Sequence, residues 1–217
     1  MLAQANPAAS AAPRNEWMET HQGYVERAKK GDVDIVFLGD SITNAWRGAG
    51  KEVWADRFAS LKAVNFGIGG DRTENVLWRI QNGELDGITP RAVVLMIGTN
   101  NLKQMHTPPQ IAEGIGAIVT EIRTRVPSAR ILLFGVLPRD AEPASERRGQ
   151  IKQINEIIAK LADGKTVRFI DIGAQLLEPD GSISTAMMPD ALHPAKAGYQ
   201  IWADALKEPL AEILKGE

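Results

Sequence analysis

The sequence predicts a single α/β domain: a three-layer αβα sandwich with a flavodoxin-like parallel sheet of five strands. Short apolar runs alternate about five times with segments of helical periodicity, which is the pattern of repeated βαβ units. The runs are continuously apolar rather than alternating, so helices are expected to cover both faces of the sheet. Right-handed crossovers then make 2-1-3-4-5 the default strand order.

Five strands are expected from the apolar runs. The run at residues 92–97, Ala-Val-Val-Leu-Met-Ile, is the clearest because it is long, unbroken and followed at once by glycine. The predicted strands cover residues 34–38, 63–66, 92–97, 131–137 and 167–170.

Six main helices are expected between and around these strands. Asn15 can cap the first, which Gly31 ends, while Thr107, Pro108 and Pro127 bound the helix that follows the third strand. The predicted helices cover residues 15–30, 52–58, 73–81, 108–126, 145–161 and 195–214.

Composition excludes several classes of function. The 217 residues carry a net charge of −2 with no basic stripe, which argues against nucleic acid as a partner. No apolar run approaches the ~20 residues of a membrane span. The chain has no cysteine, so disulfides, thiolate catalysis and cysteine-ligated metals are excluded.

The first fourteen residues are rich in Ala and Pro and lack periodicity, so they are predicted to be a disordered leader before a domain spanning 15–217. Residues 3–5 have the small-x-small form of a signal-peptidase site, but no charged and apolar stretch precedes them. A remnant of an export signal and a plain flexible tail both fit this segment. Export is the favoured compartment, with the cytoplasm as the alternative.

Four short segments carry the residues of chemical interest. The first three directly follow predicted strands, and loops at the carboxyl ends of parallel strands share one edge of the sheet, where ligands bind. The segments are Gly39-Asp40-Ser41, Gly67-Ile68-Gly69-Gly70-Asp71, Gly98-Thr99-Asn100-Asn101 and Asp190-Ala191-Leu192-His193.

Together these segments supply the groups that acyl transfer requires. Ser41 is the candidate nucleophile, His193 the base, and Asp190 the carboxylate that orients the base. The N–H groups of Gly70 and Ser41 and the side-chain amide of Asn100 are candidate donors to an oxyanion. The sequence therefore predicts a Ser-His-Asp triad with a Ser/Gly/Asn oxyanion hole.

Other interpretations of these segments are weaker. Ser41 could be only a helix cap, and the glycines of residues 67–70 could form a tight turn or a phosphate loop, although Arg72 stands where the dinucleotide pattern requires Gly or Ala. No cluster of histidines and carboxylates has ligand spacing, so neither a metal nor a cofactor is expected. A non-catalytic binding module of the same fold stays open.

The four segments resemble the conserved blocks of the SGNH (GDSL-type) hydrolase family. Residues 64–71 and 75–85, with 114–119 and 137–139, are also similar to the catalytic subunits of type I platelet-activating-factor acetylhydrolases and their bacterial esterase relatives. The resemblance covers about residues 32–214. It implies a metal-independent serine esterase for short acyl groups with the triad and oxyanion hole given above, in a subgroup that is often homodimeric.

The substrate is expected to be a small acyl ester. An O-deacetylase of carbohydrate esters is favoured, with a platelet-activating-factor-like phospholipid acetylhydrolase or a lysophospholipase as alternatives. Residues 43–51 differ from the animal enzymes, so the resemblance does not determine the substrate. Asp40, Ile42, Trp46 and Leu192 are the candidate substrate-binding residues, and Trp46 could stack on a sugar ring.

Overall fold

The computed structural model describes residues 5–216 and contains one parallel sheet. Its strands are β1 (Ile35–Gly39), β2 (Ala63–Gly67), β3 (Ala92–Met96), β4 (Arg130–Phe134) and β5 (Val167–Ile170). Their order in the sheet is β2-β1-β3-β4-β5. Every neighbouring pair is parallel, and β1 lies between β2 and β3, with Ile35 aligned to both Ala63 and Ala92. The predicted fold class and strand order are confirmed.

Helices cover both faces of the sheet and form the outer layers of the sandwich. In chain order they are α1 (Met18–Lys29), α2 (Ser41–Asn44), α3 (Lys51–Arg57), α4 (Thr73–Arg79), α5 (Pro108–Arg125), α6 (Glu146–Ile158) and α7 (Lys196–Lys215). Buried residues of α1, α4, α5 and α6 pack on one face, and those of α2, α3 and α7 pack on the other. Within residues 5–216, no helix combines the length and apolarity needed to cross a membrane.

The strands are continuously apolar because successive side chains enter different cores. In β1, Val36 and Leu38 belong to one buried cluster, whereas Ile35 and Phe37 belong to the other. Side chains of a strand alternate between faces, so two helical layers require an apolar residue at every position. This is the physical basis of the predicted pattern.

The fourth strand is shorter than the predicted 131–137, since β4 ends at Phe134. Beyond it, the side-chain amide of Asn155 in α6 accepts from the Val136 N–H at 2.8 Å and donates to the Val136 carbonyl at 3.0 Å. A side chain thereby replaces the strand neighbour, so the chain stays buried without continuing the ladder. Hydropathy alone does not distinguish these two arrangements.

The prediction of a disordered leader is corrected for residues 5–14. Residues Pro7–Ala9 form a 3₁₀ turn that Asn6 caps, and the Ala8 side chain is fully buried. Farther along, Ala12 N donates to the Glu74 carbonyl at 3.0 Å. The packing of these residues against α4 and α5 outweighs their low-complexity composition. Residues 1–4, with part of the proposed peptidase site, lie outside the described residues, and the export signal stays a prediction.

Candidate functional site

Three of the four segments leave the carboxyl ends of the neighbouring strands β1, β2 and β3, as the sheet order requires. A Cβ placed on Gly69 would lie 4.0 Å from Cβ of Ser41, so the loop after β2 lies beside this serine. The Asn100 side chain donates to the Asp71 carbonyl at 3.0 Å, which joins the loops after β2 and β3. The sheet therefore assembles the predicted segments at one edge.

Ser41 is the first residue of α2 and follows β1, the strand that lies between β2 and β3. The carboxylate of Asp40 caps this helix by accepting from the Ile42 N–H at 2.9 Å. From the opposite side, the buried Tyr199 hydroxyl donates to the Ile42 carbonyl at 2.7 Å. The short helix is thus tied to α7, and Ser41 lies at its N-terminus, where free N–H groups favour negative charge.

Asp190 organises the loop that presents His193. One carboxylate oxygen, Oδ1, accepts from the backbone N–H groups of Leu192 and His193 at 3.1 and 2.7 Å. The other, Oδ2, lies 2.6 Å from His193 Nδ1. Burial of Asp190 raises its pKa, but the hydrogen bonds from His193 outweigh burial, so the pKa of Asp190 lies below its ordinary value. The carboxylate is therefore ionised and oriented for the imidazole.

His193 completes a connected chain of three side chains. Its Nε2 atom lies 2.8 Å from Ser41 Oγ, on the ring edge opposite Asp190. With Nδ1 donating to the carboxylate, Nε2 is left as the acceptor for the serine hydroxyl. The structure brings together all three residues that the sequence predicted as a triad.

The candidate oxyanion donors flank Ser41. Gly70 has a φ of 79°, the left-handed region that glycine enters without strain. Among residues 5–216 we find no hydrogen-bond partner for the Gly70 N–H or for the Ser41 N–H. Asn100 uses one amide hydrogen on Asp71 and retains the other. The three groups predicted as donors thus retain the hydrogens that an oxyanion would need.

For two of the four residues predicted to bind substrate, the prediction is wrong. Trp46 is 1% exposed and packs among Phe37, Trp54, Phe58, Tyr199 and Trp202, so its ring is not available to stack on a sugar. Asp40 is also 1% exposed and is used as the cap of α2. Sequence spacing placed both near Ser41, but their side chains turn into the protein.

Ile42 and Leu192 differ in what they offer to a substrate. Ile42 is 2% exposed and packs into the core cluster on the α7 side of the sheet. Leu192 is half-buried and adjoins His193. Leu192 is therefore the more accessible of the two beside the triad, and the acyl-binding role of both stays a prediction.

Burial raises the pKa of Asp40 to about 7, although the Ile42 N–H opposes this. Because the folded-state pKa lies above the unfolded value, the native state holds this proton more tightly, and its stabilisation is lost as pH rises from about 4 to 7. Through this group, the free energy of unfolding of the parent should fall by up to about 4 kcal/mol over this pH range. We expect Asp40→Asn, which keeps the acceptor for the Ile42 N–H, to abolish that fall. Urea unfolding between pH 4 and 8 measures it.

Asp56→Asn is the matched control, because the Asp56 side chain is 73% exposed. It should leave the slope of stability against pH close to that of the parent. An Asp40→Asn protein with the full parental slope would show that another group causes the pH dependence.

Beneath the loop after β2 lies a buried ionic cluster that the sequence analysis missed. Asp71 Oδ2 accepts from Arg79 Nε at 2.9 Å, and Arg79 also pairs with the fully buried Glu84. Arg14 reaches Asp71 Oδ1 at 3.2 Å from the N-terminal segment. Burial raises the pKa of Asp71 and the two arginines oppose this rise. The available signal was the spacing of Asp71 just before α4, Arg79 at its end and Glu84 beyond it.

Residues 5–216 contain no group of three or more His, Asp or Glu side chains arranged to hold a metal ion. The reactive and polar groups at this site are the serine, imidazole, carboxylate and amide groups described above.

Comparisons with known proteins show the family of this chain. Residues 37–201 match the model of the GDSL-like lipase/acylhydrolase family. Human platelet-activating factor acetylhydrolase IB subunit alpha1 is 38% identical over 221 residues, covering 99% of this chain and 94% of the human protein.

Two solved structures share the fold. A GDSL-like lipase from Bacteroides thetaiotaomicron is 19% identical with a TM-score of 0.71, covering 91% of this chain and 96% of that one. A catalytic mutant of Axe2, an acetylxylan esterase from Geobacillus stearothermophilus, is 20% identical with a TM-score of 0.64, covering 84% and 94%. The family match and the human relative carry the assignment: this chain belongs to the GDSL-like lipase/acylhydrolase family and is a carboxylic-ester hydrolase.

Proposed function

We propose that this protein is a serine esterase that hydrolyses acetyl and other short-chain acyl esters through Ser41, His193 and Asp190. The observation that carries the proposal is the continuous line of hydrogen bonds through the imidazole. It runs 2.8 Å from Ser41 Oγ to His193 Nε2 and 2.6 Å from His193 Nδ1 to Asp190 Oδ2. A binding module of this fold would have no physical need for this arrangement.

In the first half of the reaction, His193 Nε2 takes the proton of Ser41 as Oγ attacks the ester carbonyl carbon. Asp190 stabilises the imidazolium that results and keeps the ring oriented. Collapse of the tetrahedral intermediate breaks the bond to the alcohol, which leaves with the proton from Nε2. Water then attacks the acyl-serine by the same route and releases the acid.

The charge that develops on the carbonyl oxygen is stabilised by three donors: the N–H groups of Ser41 and Gly70 and the amide of Asn100. They lie on loops from three neighbouring strands, so the sheet holds them in place before the reaction begins. The N-terminus of α2 adds a favourable field at Ser41.

The acyl group is proposed to be short. Leu192 adjoins the base and is only half-buried, so its side chain is placed to limit the space beyond the carbonyl carbon. Acetyl and butyryl nitrophenyl esters should therefore be turned over well, and dodecanoyl esters hardly at all. Leu192→Ala should raise the rate on longer acyl chains relative to acetyl. Equal rates across the series in the parent would contradict a closed pocket and favour a lysophospholipase.

The alcohol portion of the substrate has two candidates. A carbohydrate ester was expected from the sequence, and the acetylxylan esterase has the same fold, but the buried Trp46 removes the residue expected to stack on sugar. A platelet-activating-factor-like acetylated phospholipid is favoured by the human relative, an acetylhydrolase similar over nearly the whole chain. We place the phospholipid ester first.

The test has two steps. A serine-directed phosphonate should label one residue, and mass spectrometry should locate the adduct on Ser41; an unlabelled, inactive parent would favour a binding module. A panel of acetylated glycerophospholipids and acetylated xylo-oligosaccharides then compares kcat/KM. Preference for the sugar esters would overturn the phospholipid assignment and leave the esterase assignment intact.

A further inference from the structure

Residues 6–14, here called the N-terminal strap, are bound to the domain by specific polar contacts. The Thr73 hydroxyl donates to the Ala8 carbonyl at 2.6 Å, and the Asn75 side chain donates to the Ala12 carbonyl at 3.0 Å. Both acceptors are backbone groups of the strap, and Ala8 is fully buried. The body of the protein thus holds the strap along a defined path.

Gly114 in α5 makes room for this path. A Cβ placed there would overlap the Ala8 carbonyl oxygen and lie 2.6 Å from the Thr73 hydroxyl. Glycine in the middle of a helix is destabilising relative to alanine. The close contact with the strap gives a physical reason for that cost.

The strap ends at Arg14, which lies against the loop after β2. Its Nη1 atom donates to the Gly69 carbonyl at 2.8 Å and to Asp71 Oδ1 at 3.2 Å. The same atom would lie 3.0 Å from a Cβ on Gly70. The guanidinium therefore covers the glycine whose N–H is the proposed oxyanion donor.

The hydrogen bond from Arg14 to the Gly69 carbonyl acts on the same peptide group that carries the Gly70 N–H. Residues 68–71 form a β-turn, closed by a hydrogen bond of 3.2 Å from the Asp71 N–H to the Ile68 carbonyl. The φ of 79° at Gly70, the third residue of the turn, is typical of a type II β-turn. Types I and II differ by a flip of this central peptide, and glycine at both central positions makes the flip inexpensive. A charged donor on the Gly69 carbonyl favours one orientation and polarises the N–H at the other end.

We propose that Arg14 is a positioning residue for ester hydrolysis: it holds the Gly69–Gly70 peptide so that the Gly70 N–H faces the oxyanion. This inference rests on the proposed function. It makes the N-terminal strap part of the active site, although the strap contains none of the reacting groups.

The first test is a set of substitutions at Arg14, assayed on a short nitrophenyl ester. Arg14→Ala should lower kcat by about 10- to 100-fold, less than the ~10²–10³ that loss of an oxyanion donor costs. KM should change by less than about threefold, because the contact acts in the transition state. Arg14→Lys should recover part of the loss, and guanidinium ion at millimolar concentration should partly rescue Arg14→Ala. Glu16→Gln, which removes only an exposed partner of Arg14, should leave kcat unchanged.

A second pair of variants tests the strap at a distance from the site. Gly114→Ala should displace the strap and reproduce the kcat defect, and combining it with Arg14→Ala should add little. Gly116→Ala on the same helix is the matched control, since its Cβ would meet only Leu161 at 3.9 Å. Circular dichroism and thermal unfolding verify that each variant is folded.

The outcomes separate this inference from the function on which it rests. If Ser41→Ala abolishes activity but Arg14→Ala matches the parent, the positioning role is wrong and the esterase stands. A raised KM at unchanged kcat would mean that Arg14 contacts substrate, which also overturns the role. If Ser41→Ala is as active as the parent, the proposed mechanism through Ser41 fails, and the role of Arg14 in that mechanism fails with it.

Discussion

Ser41→Ala is expected to lower kcat on a short nitrophenyl ester by ~10⁴-fold or more while the fold stays intact. The hydroxyl oxygen, Oγ, is the only non-hydrogen atom removed, and it is the atom that would carry the acyl group in the acyl-enzyme. Ser41 lies at the start of a helix tied down by Asp40 and Tyr199, neither of which uses the serine side chain. Steady-state kinetics measure the loss, and circular dichroism verifies the fold.

Ser60→Ala is a suitable control, because Ser60 is exposed and lies in a separate 3₁₀ turn. The kcat of His193→Ala should fall by a factor similar to that of Ser41→Ala. Because the two groups act as a unit, the kcat of the double variant should be little lower than that of either single variant. A folded Ser41→Ala protein with parental turnover would exclude this serine as the nucleophile.

Arg79→Met is expected to lower the free energy of unfolding by about 3–5 kcal/mol, the usual cost of removing one partner of a buried ion pair. Arg79 is buried, and it is the partner of both Asp71 and Glu84. Methionine fills much of the volume, but it leaves the buried Glu84 without its cation and Asp71 with Arg14 as its remaining partner. Urea unfolding monitored by tryptophan fluorescence measures the difference.

Arg125→Met is the matched control, because Arg125 pairs with Glu121 and Asp86 at the surface. Exposed pairs of this kind contribute about 0–1 kcal/mol, so this variant should stay within that range. Equal losses for the two substitutions would show that the buried charge pairs of Arg79 contribute no more to stability than a surface pair.

The architecture was predictable because it is encoded locally. Continuous apolar runs mark strands covered on both faces, and the right-handed crossover rule leaves few ways to order them. The segments containing Ser41, Gly70 and Asn100 follow successive strands, so the strand order is enough to bring them to one edge. The pairing of Asp190 with His193 is encoded by their three-residue spacing.

Side-chain direction was not predictable from distance along the chain. Trp46 is five residues from Ser41, yet its ring enters an aromatic core formed by β1, α3 and α7. A helical turn reverses the direction of a side chain within two residues, so proximity in sequence does not place a ring at a site. The end of β4 was missed for a related reason, since the partner that replaces the strand, Asn155, lies nineteen residues away.

The sequence by itself determined the fold, the strand order and which residues are candidates for ester hydrolysis. Only the tertiary structure decided that residues 5–14 are packed and that Arg14 lies on the Gly69–Gly70 peptide. The reason is that the contacts of Arg14 with this loop span 55 to 57 residues and depend on a groove opened by Gly114. No local periodicity or composition records a contact of that kind.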